Sequence, residues 1–162
     1  MQDGGSKMFG IFDDRFGLRI LTAAADGKVI PIGELGDGEL SKRKMGDGFA
    51  VYPYTGLILK REIVLYSPAD GVITAAHDGG AVLRTGDGIS ISVLFGDGGK
   101  LCAETGERVA AGSVLCVLPW KSGLINGAAA VLINETDRIT ELHVRSGYRR
   151  HGDAAAFYRV SE

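Results

Sequence analysis

Glycine is the residue that most constrains how this chain can fold. The sequence has 25 glycines among 162 residues, about twice the share of an average protein. They stand singly or in pairs between short apolar runs, as in Asp26-Gly27 and Gly86-Asp87-Gly88. Since Asp-Gly between apolar runs is a strong signal for a tight turn, this spacing favours many short strands over long helices. We therefore expect an all-β fold.

The apolar runs predict where the strands begin. The run from Ile89 to Phe95 opens with strict alternation of apolar and polar residues, which is the period of a half-buried strand. Asp26-Gly27 predicts a hairpin turn. The best helix signal is Asn134 to Ile139, where a capping Asn or Thr followed by acidic residues predicts one short helical turn. Strands are expected to begin near Val29, Phe49, Ile63, Val72, Ile89 and Leu115.

Two motifs recur along the chain in the same order. The run Ala25-Asp26-Gly27-Lys28-Val29-Ile30 returns as Ala69-Asp70-Gly71-Val72-Ile73. Downstream, the segment Thr105 to Leu115 has a looser echo in Ser146 to Ala155. Two ordered copies of a turn motif predict an internally duplicated β-sandwich or flattened barrel.

Charge and hydropathy exclude several kinds of partner. With a formal net charge of -2 at pH 7, the chain lacks a general basic field, so we expect no nucleic-acid partner. No window approaches the ~20 apolar residues of a membrane span. The N-terminus lacks the order of a signal peptide, so we expect a cytoplasmic protein. Residues 1–17 are expected to form a flexible leader, and residues 18–162 one β domain.

Two short basic runs are the most strongly charged segments of the chain. They are Lys42-Arg43-Lys44 and Arg149-Arg150. Such runs usually form solvated faces, and the alternative is a rim that docks an anion or a partner.

The residue types that carry catalysis form no recognised motif. The histidines show neither a His-x-His pair nor His-Glu-x-x-His, and no Gly-x-Ser-x-Gly is present. Gly79-Gly80 is not followed by the Gly-Lys-Ser/Thr of a phosphate loop, so we expect a turn there. Cys102 and Cys116 lack a Cys-x-x-Cys pair, and we expect both to be buried free thiols. We predict neither a metal nor a cofactor.

Seven segments in order give the chain a family resemblance between about Arg19 and Val160. They are Ala25–Ile32, Met45–Pro53, Ser67–Ile73, Val93–Gly96, Gly106–Gly112, Ile133–Glu135 and Ser146–Gly147. In this order they resemble the glucose-type IIA component of the bacterial phosphoenolpyruvate:sugar phosphotransferase system. The resemblance implies an antiparallel β-sandwich of the duplicated hybrid type.

The resemblance also implies an active site that this sequence does not reproduce. Such a IIA component has two facing histidines on adjacent strands, and it passes a phosphoryl group from the histidine phosphocarrier protein to a IIB domain. Here Leu94 stands at one histidine position, in Val93-Leu94-Phe95-Gly96, and Gly80 (or Gly79, depending on one gap) stands at the other. Neither residue type can accept or neutralise a phosphoryl group. His77, just upstream, is the remaining catalytic candidate, and its alternative is an exposed loop histidine.

Three functions follow from this comparison. The first is a IIA-like domain that does not catalyse transfer and instead docks on the phosphocarrier protein, a IIB domain or a sugar permease to regulate sugar uptake. The second is an active phosphocarrier that uses His77. The third is a β domain that binds a small ligand or carbohydrate. For the first, core burial of Leu94 and Phe95 is the alternative to a docking surface formed by Leu40, Met45, Gly79, Gly80, Leu94 and Phe95.

Overall fold

Short antiparallel strands make up almost all regular structure in this computed structural model, which describes residues 18–36, 45–53, 62–96, 98–119, 124 and 127–161. The first seven strands are β1 (Leu18–Thr22), β2 (Gly27–Pro31), β3 (Asp47–Pro53), β4 (Glu62–Tyr66), β5 (Gly71–His77), β6 (Gly80–Arg84) and β7 (Ser90–Leu94). The others are β8 (Lys100–Leu101), β9 (Arg108–Val109), β10 (Val114–Pro119), β11 (Ala129–Ile133), β12 (Ile139–Val144), β13 (Gly147–Arg149) and β14 (Ala154–Val160). The all-β prediction is confirmed, and the strands begin within two residues of the predicted positions.

The helical content of the described ranges is two single 3-10 turns, at Ile32–Glu34 and Thr136–Arg138. The second lies where the sequence predicts a short helical turn, but its N-cap is Glu135 and no side chain caps it. The Glu135 carboxylate instead accepts a hydrogen bond from the Ser90 N–H at 2.7 Å. Neither helical turn is long enough to cross a membrane.

The described strands form three antiparallel sheets. The largest has eight strands in the order β9-β5-β6-β7-β11-β3-β2-β13, and two smaller sheets have the orders β4-β10-β8 and β12-β14-β1. Side chains from all three sheets meet in one main core, which includes Phe49, Phe95, Leu115 and Tyr158. The other face of the large sheet carries a second cluster, made of Ile30, Ile32, Leu35, Ala50, Ala128, Ala130 and Leu132, against which Tyr52 and Leu94 pack.

The repeated motifs occupy equivalent places in the fold. Asp26 accepts a hydrogen bond from the backbone N–H of His151 at 2.7 Å. Asp70 accepts the same bond from Ala111 at 2.8 Å. The predicted duplication is therefore confirmed at the level of individual hydrogen bonds.

Strand pairing defines the two copies. An inner copy comprises β4 to β10, and an outer copy comprises β1 to β3 together with β11 to β14. The pair β4–β10 and the pair β1–β14 each contain a register shift at the same place. In the eight-stranded sheet, β9, β5, β6 and β7 of the inner copy correspond to β13, β2, β3 and β11 of the outer copy. The order of equivalent strands is therefore the same from either edge of the sheet. A pseudo-twofold axis therefore passes between β7 and β11, at the Val93–Val131 pair.

Asp26-Gly27 and Asp70-Gly71 are not hairpin turns, contrary to the sequence prediction. Strand β1 pairs with β14, whereas β2 pairs with β3 and β13, so Asp26-Gly27 carries the chain from a small sheet to the large one. Glycine is needed there because the neighbouring strand is close. A Cβ on Gly27 would lie 2.0 Å from the Tyr52 carbonyl oxygen, and one on Gly71 would lie 2.5 Å from that of Arg84.

The two cysteines are free thiols with opposite exposure. Cys116 is fully buried in the main core, whereas Cys102 is exposed, so the prediction that both are buried is wrong for Cys102. Burial, with a smaller contribution from the nearby Cys102 thiol, raises the pKa of Cys116 to about 12.

We expect the native protein to show one fast thiol and one protected thiol. The thiolate is the reactive form, and Cys116 combines burial with a raised pKa. With a disulfide reagent at about pH 8, Cys102 should react quickly and Cys116 only after unfolding. Cys102→Ser should remove the fast phase. Rapid modification of both thiols in a protein that circular dichroism shows to be folded would contradict this assignment.

Candidate functional site

Gly80 and Leu94 are direct partners on the adjacent antiparallel strands β6 and β7. A Cβ on Gly80 would lie 3.0 Å from Leu94 Cδ2 and 3.1 Å from the Val93 carbonyl oxygen. Side chains at positions 80 and 94 would therefore meet on one face of the sheet. Since side chains directly opposite each other interact across an antiparallel pair, this is the geometry that two cooperating residues need.

A tight turn brings His77 back against Gly80. His77 and Gly80 are partners across the β5–β6 hairpin, and Asp78-Gly79 form its two-residue turn. Gly79 has a φ of 84°, which glycine adopts without strain. The His77 Cε1 atom lies 2.8 Å from the position that a Cβ on Gly80 would take. The upstream position of His77 in the sequence therefore does not remove it from this face.

The exposed imidazole of His77 has one engaged nitrogen. Its Nδ1 lies 3.1 Å from the Asp78 carbonyl oxygen. Because a carbonyl oxygen only accepts, this contact assigns the proton of the neutral ring to Nδ1 and leaves the lone pair on Nε2. In the described part of the chain Nε2 has no hydrogen-bond partner. A neutral nitrogen in this state can act as a nucleophile.

Leu94 and Phe95 point to opposite faces of the large sheet, as successive residues of a strand do. Leu94 is half-buried and packs on the second cluster. Phe95 is 1% exposed and belongs to the main core, so its ring does not contribute to a docking surface and the alternative of core burial describes it. Its backbone N–H donates to the Gly79 carbonyl at 2.8 Å and so holds the hairpin turn beside β7. We call His77, Gly79, Gly80 and Leu94 the Gly80–Leu94 face.

Comparison with known proteins decides the family. A family model described as phosphoenolpyruvate-dependent sugar phosphotransferase system, EIIA 1, matches residues 19–122, which is more than half of the chain. The chain belongs to this family. It is also similar to the solved structure of glucose permease IIA from Mycoplasma capricolum, with a TM-score of 0.72 at 22% sequence identity. That match covers 86% of this chain and 95% of the other, and it shows that the two share the β-sandwich fold.

Met45, which was expected on the docking surface of this IIA-family domain, lies away from the Gly80–Leu94 face. Met45 is 50% exposed, and its carbonyl accepts a hydrogen bond from Asn134, just beyond the end of β11. Leu94 instead pairs with Ala130, which is roughly 13 Å from Asn134 along β11. The leader at 1–17, Leu40 and the Lys42-Arg43-Lys44 run lie outside the described residues.

The sequence analysis missed a polar cluster around His151 in this IIA-family domain. Asp26 Oδ1 lies 2.7 Å from both the backbone nitrogen and Nδ1 of His151. The imidazole stacks on Tyr66 with ring centroids 3.7 Å apart and an interplanar angle of 10°. Burial by itself raises the pKa of Asp26. The hydrogen bonds from His151 and the charges of His151 and Arg150 together outweigh that effect, so the pKa lies below its usual value. The two repeats could have pointed to this cluster, because His151 stands where the other copy has Ala111, and each lies next to the Asp of its own Asp-Gly motif.

In the described ranges of the chain, no three His, Cys, Asp or Glu residues are grouped so that they could hold a metal ion.

Proposed function

We propose that this IIA-family domain docks on a protein of the sugar phosphotransferase system without passing a phosphoryl group through a pair of histidines. The observation that carries the proposal is the Gly80–Leu94 cross-strand pair. The family resemblance assigns these two positions to facing histidines, yet neither residue brings a nitrogen. Phosphoryl transfer needs a nucleophile and a group that offsets the charge of the transferred phosphoryl, and this pair supplies neither.

The pseudo-twofold axis offers an internal comparison that supports this proposal. It relates the Gly80–Leu94 pair to the pair Gly48–Leu132, which are also partners on adjacent strands. Leu132 is fully buried in the second cluster, where it serves packing alone. The position assigned to the family's active site thus has the same two residue types as a packing pair in the other copy.

The Gly80–Leu94 face suits contact with a protein surface. Leu94 and Gly79 are half-buried and the His77 imidazole is exposed, whereas Gly80 between them is buried. An apolar side chain next to partly exposed backbone at Gly79 and an exposed imidazole has the mixed character of a protein-protein contact. Among the partners implied by the resemblance, the histidine phosphocarrier protein and a IIB domain both approach the histidine positions directly, and we test the phosphocarrier protein first.

A second candidate function is phosphoryl transfer through His77. It is favoured by the 2.8 Å distance between His77 Cε1 and the Cβ position of Gly80. In this step the Nε2 lone pair would form a bond to phosphorus while the bond between phosphorus and the donor imidazole breaks. Nδ1 would keep its proton and continue to donate it in a hydrogen bond to the Asp78 carbonyl. We rank it second because Leu94 cannot offset the developing charge.

Labelling from radioactive phosphoenolpyruvate in the presence of the general phosphotransferase proteins separates the two candidates. We expect only trace label, at less than about 1% of the rate of a IIA domain that has both histidines, since loss of one charge-stabilising group costs ~10²-fold or more. His77→Gln should leave this trace unchanged. Rapid stoichiometric labelling that His77→Gln abolishes and the control His143→Gln preserves would replace the docking proposal with the carrier function.

Docking itself is tested by titration with the unphosphorylated phosphocarrier protein, followed by amide chemical shifts. We expect shifts at residues 79, 80 and 94. Leu94→Asp should weaken binding at least about tenfold, whereas Val114→Asp, at another partly exposed apolar residue, should not. Saturable binding with no shift on the Gly80–Leu94 face, or no binding at all, would contradict the proposal.

A further inference from the structure

An open cleft lies where β13 forms the edge of the eight-stranded sheet beside β2. It has a volume of about 610 Å³, within the range of small-molecule sites. Its polar lining is formed by Asp26, Arg145, Tyr148, Arg149, Arg150 and Asp153. In the sheet order, β5 to β7 with the Gly80–Leu94 face belong to the other half. The cleft is therefore separate from the site proposed above, and its function does not depend on that proposal.

The duplication shows that the fold does not require this basic lining. The Arg145 N–H donates to the Ala155 carbonyl at 2.7 Å, as the Cys102 N–H does to Leu115 at 2.8 Å. Arg149 pairs with Gly27 as Val109 pairs with Gly71. The inner copy thus builds the same backbone with uncharged equivalents of Arg145, Arg149, Arg150 and His151, namely Cys102, Val109, Ala110 and Ala111.

The carboxylates of the cleft already accept hydrogen bonds, whereas two of its guanidinium groups keep donors for a ligand, although the charge of Arg150 also acts on Asp26. Asp26 accepts from His151, and Asp153 accepts from the backbone N–H of Arg150 at 3.3 Å. Arg145 and Arg150 form no ion pair with any described residue, and the Arg145 guanidinium lies 6.0 Å from the centroid of the Phe157 ring. Three arginines against two aspartates leave the cleft with surplus positive charge.

Arg149 presents a fixed donor that lacks an acceptor. Its Nη1 donates to the Tyr148 carbonyl at 2.8 Å and its Nη2 to the Ser146 carbonyl at 3.0 Å. Its Nε is buried and has no hydrogen-bond partner in the described ranges. That N–H is closed to solvent, so an anion would instead accept from the second N–H that each Nη carries on this half-buried side chain. Because two carbonyls already hold the guanidinium, an anion would bind without ordering that side chain.

Tyr148 adds an aromatic surface at the same cleft. It is the most exposed large apolar side chain among the described residues, at 73%. An aromatic ring with one free face can pack against the ring of a ligand. We propose that the cleft binds a small phosphomonoester that contains a ring. Arg145, Arg149 and Arg150 hold the phosphate, and Tyr148 contacts the ring. A dianionic phosphate has enough acceptor oxygens for several guanidinium forks, which favours it over a single carboxylate.

The test is calorimetric titration of the full chain with phenyl phosphate at low ionic strength, with inorganic phosphate and phenol as partial probes. We expect saturable binding of phenyl phosphate, weaker binding of inorganic phosphate and none of phenol. The double variant Arg145→Gln with Arg150→Gln should weaken binding of phenyl phosphate at least about tenfold. Tyr148→Ala should remove the preference for phenyl phosphate over inorganic phosphate.

Arg84→Gln with Arg108→Gln is the matched control, because it removes the same charge from exposed arginines outside the cleft. It should leave binding nearly unchanged. No saturable binding of phenyl phosphate, or an equal loss in both double variants, would overturn the site. Neither outcome changes with the result of the phosphoenolpyruvate labelling, so failure of this site and failure of the proposed function are distinguishable.

Discussion

Gly80→His combined with Leu94→His is expected to enable the chain to take up label from phosphoenolpyruvate, at a rate at least about 100-fold above that of the unmodified protein. The two positions are direct partners, and a Cβ at position 80 would lie 3.0 Å from a terminal atom of Leu94. Two imidazoles there would face each other closely enough for one to accept the phosphoryl group and the other to offset its charge. The backbone of Gly80 is not in the left-handed region, so its dihedral angles allow a side chain, and the Val93 carbonyl oxygen at 3.1 Å must shift by a few tenths of an ångström.

The main obstacle to this change is the ring of His77, whose Cε1 lies 2.8 Å from the new Cβ. That ring is exposed and can rotate away at low cost. Adding His77→Gln to the double variant should therefore leave labelling intact, and each single histidine should label far less than the pair. A folded double variant that binds the phosphocarrier protein but takes up no label would contradict the assignment of positions 80 and 94.

Gly27→Ala is expected to destabilise the domain by about 3 kcal/mol or more, a loss of roughly 10 °C in Tm. The added methyl would lie 2.0 Å from the Tyr52 carbonyl oxygen, which belongs to the paired strand and cannot move without breaking the β2–β3 ladder. Gly71→Ala should follow with a smaller loss, because its nearest backbone atom, the Arg84 carbonyl oxygen, lies at 2.5 Å.

Gly86→Ala is the control for both, since a Cβ there meets nothing within 4 Å and its φ is not left-handed. Thermal unfolding followed by circular dichroism should rank the losses as Gly27→Ala, then Gly71→Ala, then Gly86→Ala near zero. If all three variants unfold at the same temperature, close approach is not the reason for glycine at the repeated Asp-Gly motif.

The repeated Asp-Gly motif shows what local signals can and cannot predict. The sequence correctly indicated a break in the chain at Asp26-Gly27, and strand starts nearby were accurate. It could not tell a hairpin from a crossing between sheets, because that depends on which distant strand each segment pairs with. The glycine serves close approach to Tyr52, a contact that no local rule contains.

The Gly80–Leu94 face was predictable in part. Motif order indicated that positions 80 and 94 lie on adjacent strands, as they do. The alternation of a strand implies that Leu94 and Phe95 cannot share a surface, and this rule was available from the sequence. The place of His77 depends on the turn at Asp78-Gly79, which brings it back against Gly80. The His151–Asp26 contact joins residues 125 positions apart and required the fold.

The two copies are nested, since the inner one is continuous along the chain and interrupts the outer one between β3 and β11. In the outer copy, Leu18 meets Arg159 across about 140 positions, whereas Glu62 meets Pro119 across about 60. The extra loop-closure entropy of the outer pairing is only about 1 kcal/mol, because this cost grows with the logarithm of length. Insertion of a whole second copy between β3 and β11 is therefore nearly neutral for stability. The outer copy nevertheless closes only if the inner copy brings β3 and β11 together.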